Sequence, residues 1–140
     1  MPTLEDAIAL AVQIHQGQRD KAGAVYILHP LRVMFRLQTE DERIVAVLHD
    51  VVEDSEMTLD DLREQGYNED ILAALDCLTR RDDENYMAFV DRAKKHPIAR
   101  QVKLADIEDN MDIRRLNRIG EHDLERLQRY RQAWALLQEK

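Results

Sequence analysis

The chain has little cysteine, glycine or proline, and each shortage excludes a class of protein. A single cysteine, Cys77, cannot form an internal disulfide framework, so a reducing compartment such as the cytoplasm suits it. Only four glycines and three prolines, beside abundant Leu, Ala, Glu and Arg, favour an all-helical fold. No apolar run approaches the roughly 18 residues that cross a bilayer, and residues 1–6 lack the basic and apolar regions of a secretion signal. We therefore expect a cytoplasmic protein without a membrane partner.

The length and charge of the chain limit what it can bind. A chain of 140 residues is expected to form one domain, residues 1–140, with room for a core and a pocket. The net charge of -8 argues against a general binder of DNA or RNA. It does not exclude a small phosphorylated substrate, provided that a metal ion and local Arg and Lys side chains reverse the field inside one cleft.

Apolar residues recur at helical spacing along most of the chain, and capping residues stand before several of these runs. Thr39 with Glu42 makes a capping box for the helix that carries the dipeptide His49-Asp50. Residues 16–28 are polar and predict a loop of a length that is often functional. The pattern predicts an all-α domain, folded as a compact bundle of seven or eight helices.

The C-terminal half is predicted to hold two long helices, residues 98–116 and 123–138. The second aligns its apolar side chains on one stripe, which includes Trp134. That stripe could form an interface as easily as a core, so a homo-oligomer stays open.

Polar residues interrupt the apolar segment that surrounds His49 and Asp50. A neutral imidazole beside a carboxylate suits a divalent transition metal, and Glu53 and Asp54 follow one helical turn later. These four groups carry a desolvation cost unless something pairs with them, and a bound cation would do so.

Two further metal ligands are candidates far away in sequence. His29 stands at the entry to a helix and is held in position by Pro30. Asp106 lies in a mostly apolar helix, where a carboxylate is out of place unless it is engaged, and Asn110 lies one turn further on. The alternative is that each of these residues is an ordinary polar core group or a helix cap, the interpretation that we also favour for His15.

Five strings of residues and the single residue Gly23 stand in a fixed order from near residue 4 to the C-terminal helix. The strings are His15-Gln16-Gly17-Gln18, Tyr26-Ile27-Leu28-His29-Pro30, Leu48-His49-Asp50-Val51-Val52-Glu53-Asp54-Ser55, Glu84-Asn85-Tyr86, and Val102-Lys103-Leu104-Ala105-Asp106 with Asn110. This ordered set resembles the HD-domain hydrolases, in particular the hydrolase domain of the RelA/SpoT type and the stand-alone small alarmone hydrolases. The resemblance implies an all-α fold and one divalent ion, usually manganese, held by His29, His49, Asp50 and Asp106.

The resemblance also implies a reaction. Members of the family remove the 3′-pyrophosphate from guanosine tetra- and pentaphosphate, with Glu53 and Asp54 handling the attacking water. Asn110, Tyr130 and Lys21 fall where such enzymes contact the nucleotide. We expect Lys21, Arg19 and Lys103 to offset the phosphate charge of the substrate.

One position departs from the family's pattern. The family places an arginine that packs on the purine base where this chain has Asp20, with Arg19 displaced by one residue, and Val25 replaces a proline. An acidic side chain cannot supply cation–π stacking and repels phosphate. Hydrolysis of a phosphoester or pyrophosphate is therefore better supported than the identity of the nucleotide.

Three alternatives to a ppGpp hydrolase stay open. One is an HD phosphohydrolase that acts on another nucleotide or phosphorylated metabolite. Another is a catalytically silent nucleotide-binding regulatory module, although binding alone does not require the pair Glu53-Asp54. The last is a purely structural helical protein, which leaves the polar cluster unexplained.

Overall fold

Helices make up the regular structure of the chain, which a computed structural model describes over residues 1–140. The elements are α1 (Leu4–His15), α2 (Leu28–Phe35), α3 (Glu40–Leu48), α4 (Val51–Asp54), α5 (Leu59–Glu64), α6 (Glu69–Cys77), α7 (Tyr86–Lys94), α8 (Pro97–Asn110), a 3₁₀ turn (Ile113–Arg115) and α9 (Glu121–Gln138). Eight of the α-helices have six residues or more, and α4 is a single turn. The predicted all-α bundle of seven or eight helices is confirmed.

Side-chain caps fix where several helices begin. Thr3, Thr39 and Thr58 each accept a hydrogen bond from the backbone three residues on and form a capping box with the acidic residue there. Asn68 caps α6 and Asn85 caps α7 in the same way, without the reciprocal bond. These caps satisfy backbone N–H groups that a helix leaves free at its start.

Two predicted helix boundaries are wrong. The helix that carries the HD dipeptide ends at Leu48, so that His49 and Asp50 form a break before α4 rather than lying inside a continuous helix. Helix α8 ends at Asn110 instead of near Leu116. There the carboxylate of Asp112 accepts the backbone N–H of Arg114 and starts a 3₁₀ turn, which competes with continuation of the helix.

Helix α3 is the centre of the main core. Its residues Ile44–Leu48 are fully buried, and the helix packs against α1, α2, α6 and α8. A helical segment that is apolar on all sides, as these five residues are, is stable only when it is surrounded by other elements. Because the break at His49 and Asp50 follows directly, those two polar residues are held at the inner end of the most buried helix.

The C-terminal helix packs on α7 and α8 around a smaller core. Val90, Ile107, Ala133 and Leu137 are fully buried there, and Trp134 packs against them while remaining partly exposed. The end of the predicted stripe at Leu137 therefore forms core within the chain, whereas Leu124 at its start is exposed. None of the helices has the length and apolar character that a membrane span requires.

Candidate metal centre and substrate cleft

The four predicted metal ligands come together from three parts of the fold: the start of α2, the break after α3, and α8. His29 Nε2 lies 2.8 Å from Asp106 Oδ1, and His49 Nε2 lies 3.4 Å from the same oxygen. His49 Nε2 is 3.2 Å from Asp50 Oδ2. One ligand atom each from His29, His49 and Asp50 lie within 4.8 Å of one another. The fold thus brings two imidazoles and two carboxylates around one point.

The hydrogen bonding of His49 fits a bound cation. Its Nδ1 faces the backbone carbonyl of Ala46, which can only accept, so Nδ1 carries the proton of the neutral ring. Its Nε2 is buried and forms no hydrogen bond, although two carboxylates stand close by. A lone pair that faces carboxylate oxygens is repelled unless a proton or a metal ion lies between them. Imidazole and carboxylate together are donors that suit a divalent transition metal.

The charges of the cluster favour positive charge at the same point. Burial lowers the pKa of His49, but Asp50 and Asp106 outweigh burial and raise it to about 10. Burial raises the pKa of Asp106, but the ammonium of Lys103 and the two imidazoles hold it well below its usual range. Asp106 is thus a carboxylate inside the protein, and anions so placed are found paired with cations or metals.

Tyr26 holds Asp50 in place. Its hydroxyl donates a hydrogen bond to Asp50 Oδ2. Burial, and then the negative charge of Asp50, raise the pKa of Tyr26, so the hydroxyl keeps its proton and stays a donor. Sequence reasoning gave Tyr26 no role of its own. The only signal in the sequence was its position, because Tyr26 lies three residues before the candidate ligand His29.

The two predicted water-handling carboxylates lie at the exposed rim of this cluster. Glu53 accepts the backbone N–H of Arg80 at 2.6 Å, and Asp54 accepts the side-chain amide of Gln18 at 3.2 Å. Partial desolvation raises the pKa of Glu53, as does the negative charge of Asp50. His15 Nδ1 lies 2.9 Å from the amide oxygen of Gln18, so this buried histidine, expected to be structural, belongs to the support of the site.

A cleft of about 290 Å³ opens beside the four candidate metal ligands, and Tyr26 and Asn110 line it on that side. All four predicted substrate-binding residues line it: Arg19, Lys21, Asn110 and Tyr130. The amide of Asn110 also donates to Asp106 Oδ1 at 3.3 Å, which connects the cleft to the candidate metal ligands. Their role in binding substrate stays a prediction, but the fold places them on one surface.

Asp20, the residue that departs from the family pattern, shapes the loop at the mouth of the cleft. Its Oδ1 accepts the backbone N–H groups of Ala22 and Ala24, both at 2.9 Å. Gly23 completes the turn with φ +88°, a conformation that costs glycine little. Arg19 donates to the carbonyl of Gly23 at 2.9 Å and lines the cleft together with Asp20. The presence of an aspartate at position 20 is therefore partly explained by its hydrogen bonds to the backbone of the loop.

Lys103 was expected to offset substrate charge, and the structure corrects this. Its side chain is buried, with Nζ 3.0 Å from Asp106 Oδ2 and 4.8 Å from the centre of the Phe89 ring. Two arginines that sequence reasoning missed, Arg126 and Arg129, line the open hollow beside Lys21. Because they belong to a charged helix surface, nothing in the sequence pattern separates them from ordinary solvated residues.

Replacing Lys103 with methionine is expected to destabilise the protein. The change leaves Asp106 without its nearest cation, and breaking a buried ion pair costs about 3–5 kcal/mol. Thermal or urea unfolding in a chelating buffer measures this loss. Lys95→Met is the matched control, because Lys95 is an exposed lysine whose ion pair contributes at most about 1 kcal/mol. Equal stability of the two variants would contradict the role of Lys103 as the buried ion-pair partner of Asp106.

Comparisons with known proteins agree with these features. No protein-family model matches the chain. The GTP pyrophosphokinase of Streptomyces coelicolor is 33% identical over 121 residues, which cover 77% of this chain and 14% of that protein. The guanosine-3′,5′-bis(diphosphate) 3′-pyrophosphohydrolase of Aquifex aeolicus is 28% identical over 120 residues, which cover 77% of this chain and 17% of that protein. The chain thus spans less than a fifth of the length of these relatives.

A solved structure has the same fold. It is described as a metazoan ortholog of SpoT that hydrolyses ppGpp and plays a role in starvation responses. The match has a TM-score of 0.79, covers 99% of this chain and 88% of the other, and has 21% sequence identity. This match shows the fold, and the similarity to the sequence relatives over 77% of this chain shows that it belongs to the family of RelA/SpoT-type HD domains.

Proposed function

We propose that this chain is a metal-dependent hydrolase that removes the 3′-pyrophosphate from guanosine 3′,5′-bis(diphosphate), or ppGpp. The observation that carries the proposal is the convergence of His29, His49, Asp50 and Asp106 beside a cleft with basic lining. Relatives named as ppGpp 3′-pyrophosphohydrolases support the choice of substrate. We further propose manganese as the ion and the cytoplasm as the setting, in which Cys77 stays reduced.

The metal would make the nucleophile available. A divalent ion held by the four ligands would lower the pKa of a water molecule to about 7. Glu53 would hold that water and accept its proton as the hydroxide attacks the phosphorus atom. Its raised pKa suits this role, because a base works best when its pKa lies close to the operating pH.

The cleft supplies binding and orientation. Lys21, Arg19 and Arg126 offset the phosphate charges within a chain of net charge -8. Asn110 bonds to Asp106 and faces the cleft, so it can orient a substrate oxygen relative to the ligands. Tyr130 offers an aromatic face for a base or ribose.

The second candidate is hydrolysis of another nucleotide or phosphorylated metabolite, which Asp20 favours. Its carboxylate lies in the cleft where the family has an arginine for the purine base. A guanine base also presents N–H donors to which a carboxylate can bind, so Asp20 changes how a base is held without excluding ppGpp.

A substrate panel tests the proposal. Purified protein with manganese is incubated with ppGpp, pppGpp, GTP, ATP and other phosphorylated nucleotides, and the release of pyrophosphate and phosphate is followed. We expect pyrophosphate from ppGpp at a rate above that from any other member of the panel. Faster turnover of another nucleotide would select the second candidate, whereas binding without release would select the silent module.

Removing the metal is expected to lower the stability of the folded protein. An ion that binds only the folded state stabilises it by about 2.7 kcal/mol at a hundredfold excess over its dissociation constant. Thermal unfolding after chelator treatment, and again after addition of Mn²⁺, measures the difference. If the melting temperature of the wild type does not respond to Mn²⁺, the proposed metal site is wrong.

A further inference from the structure

Asp109 is a buried carboxylate that the proposed reaction does not use. It lies on α8, three residues after Asp106, and its surface is completely covered. Its Oδ2 is 2.7 Å from His29 Nδ1, while His29 Nε2 is 2.8 Å from Asp106 Oδ1. One imidazole ring therefore spans two carboxylates of a single helix.

Three arginines lie within ion-pair distance of Asp109, the most distant being Arg36, with Nη2 4.0 Å from Oδ1. Arg32, on the same helix as His29, donates from Nε to Oδ1 at 2.8 Å and from Nη2 to Oδ2 at 3.1 Å. Arg115 follows in the 3₁₀ turn, with Nη1 3.7 Å from Oδ1. A carboxylate fixed by a bidentate guanidinium has a defined direction for its remaining lone pairs.

The partners of Asp109 determine which nitrogen of His29 carries hydrogen. The guanidinium of Arg32 can only donate hydrogen bonds, and it donates to both oxygens of Asp109, so Asp109 is held as an ionised carboxylate. An ionised carboxylate only accepts hydrogen bonds, so His29 Nδ1 must be the donor. In the neutral ring, the lone pair is then on Nε2, the nitrogen that faces Asp106 and the other ligands.

We propose that Asp109 is the positioning residue of the metal site, which fixes the orientation and tautomer of His29 so that its Nε2 lone pair faces the ion. This inference rests on the proposed metal-dependent function. A carboxylate that accepts the second N–H of a metal-binding imidazole raises the basicity of the ligand, and its loss typically costs 10–100-fold in metal affinity. The alternative is that Asp109 only forms an ion pair that holds α2 against α8.

The test compares Asp109→Asn with a matched control. Glu84→Gln removes a carboxylate from another poorly exposed ion pair, with Arg92 at 2.8 Å, and none of the hydrogen-bond partners of Glu84 is a proposed metal ligand. Free Mn²⁺ is counted by electron paramagnetic resonance during titration of each folded protein, and unfolding is measured in chelator. We expect Asp109→Asn to weaken Mn²⁺ binding 10–100-fold and Glu84→Gln to leave it unchanged, even where both melt at lower temperature.

A spectroscopic readout separates positioning from structure. In zinc-loaded wild-type protein, long-range ¹H–¹⁵N correlation should assign the proton of His29 to Nδ1, and Asp109→Asn should change that signal. If Asp109→Asn does not fold, Arg32→Gln replaces it, because it releases the carboxylate without removing it and should weaken Mn²⁺ binding several-fold. Wild-type affinity in the folded variant would overturn the inference, whereas a wild type that binds no Mn²⁺ would overturn the proposed function itself.

Discussion

Asp50→Ala is expected to abolish both the binding of a divalent metal and the hydrolysis of ppGpp. Asp50 is one of the four proposed metal ligands, and its carboxylate stands 3.2 Å from the unpartnered Nε2 of His49. A metal ion contributes several kcal/mol to a hydrolytic transition state, and each 1.36 kcal/mol is a tenfold change in rate. The loss should therefore be about a thousandfold or more. Titration with Mn²⁺ and release of pyrophosphate measure the two effects.

Asp50 suits this experiment better than the other ligands. Its side chain is partly exposed, whereas His29, His49 and Asp106 are buried, so its removal disturbs packing least. Asp60→Ala is the control, since Asp60 is an exposed aspartate on α5 and should keep wild-type activity. Retained manganese-dependent turnover in Asp50→Ala would show that the ion, if bound, sits elsewhere.

The helices could be predicted from the sequence because their signals are local. Thr3, Thr39 and Thr58 each stand directly before a run of helical periodicity, and each proves to be a cap. The break at His49 and Asp50 could not be predicted in this way. The apolar pattern continues through Val51 and Val52, so periodicity alone extends the helix over a point where the chain turns toward the metal cluster.

Some residues of the candidate site could be predicted from the sequence, and others could not. The ordered motifs named His29, His49, Asp50 and Asp106 together, and the fold places them around one point. Asp109 carried no such signal, because it lies in a polar stretch at the end of α8 that resembles a solvated helix surface.

Lys103 is a residue to which sequence reasoning gave a role that the structure does not support. Its position in a motif suggested contact with phosphate, although Asp106 lies three residues further along the same helix, a spacing at which side chains meet. The burial of Lys103 against Phe89 of α7 is set by the packing of α8 on α7. No local pattern in a single sequence contains that information.

Glu53→Gln is expected to retain the metal and lose the rate. Glutamine keeps an oxygen that can accept the backbone N–H of Arg80, so the local structure should survive. It cannot take a proton from water, and general base catalysis typically contributes 10²–10⁴-fold. We expect Mn²⁺ affinity within about twofold of wild type and a rate of pyrophosphate release reduced at least about a hundredfold.

The control for this variant is another exposed glutamate nearby. Glu56→Gln changes the same charge three residues further on, in the turn after α4, and should leave the rate unaffected. A comparable loss in both variants would point to the field of the acidic rim rather than to proton transfer. Wild-type turnover in Glu53→Gln would remove Glu53 from the mechanism, and Asp54, held by Gln18 at the same rim, would be the next base to test.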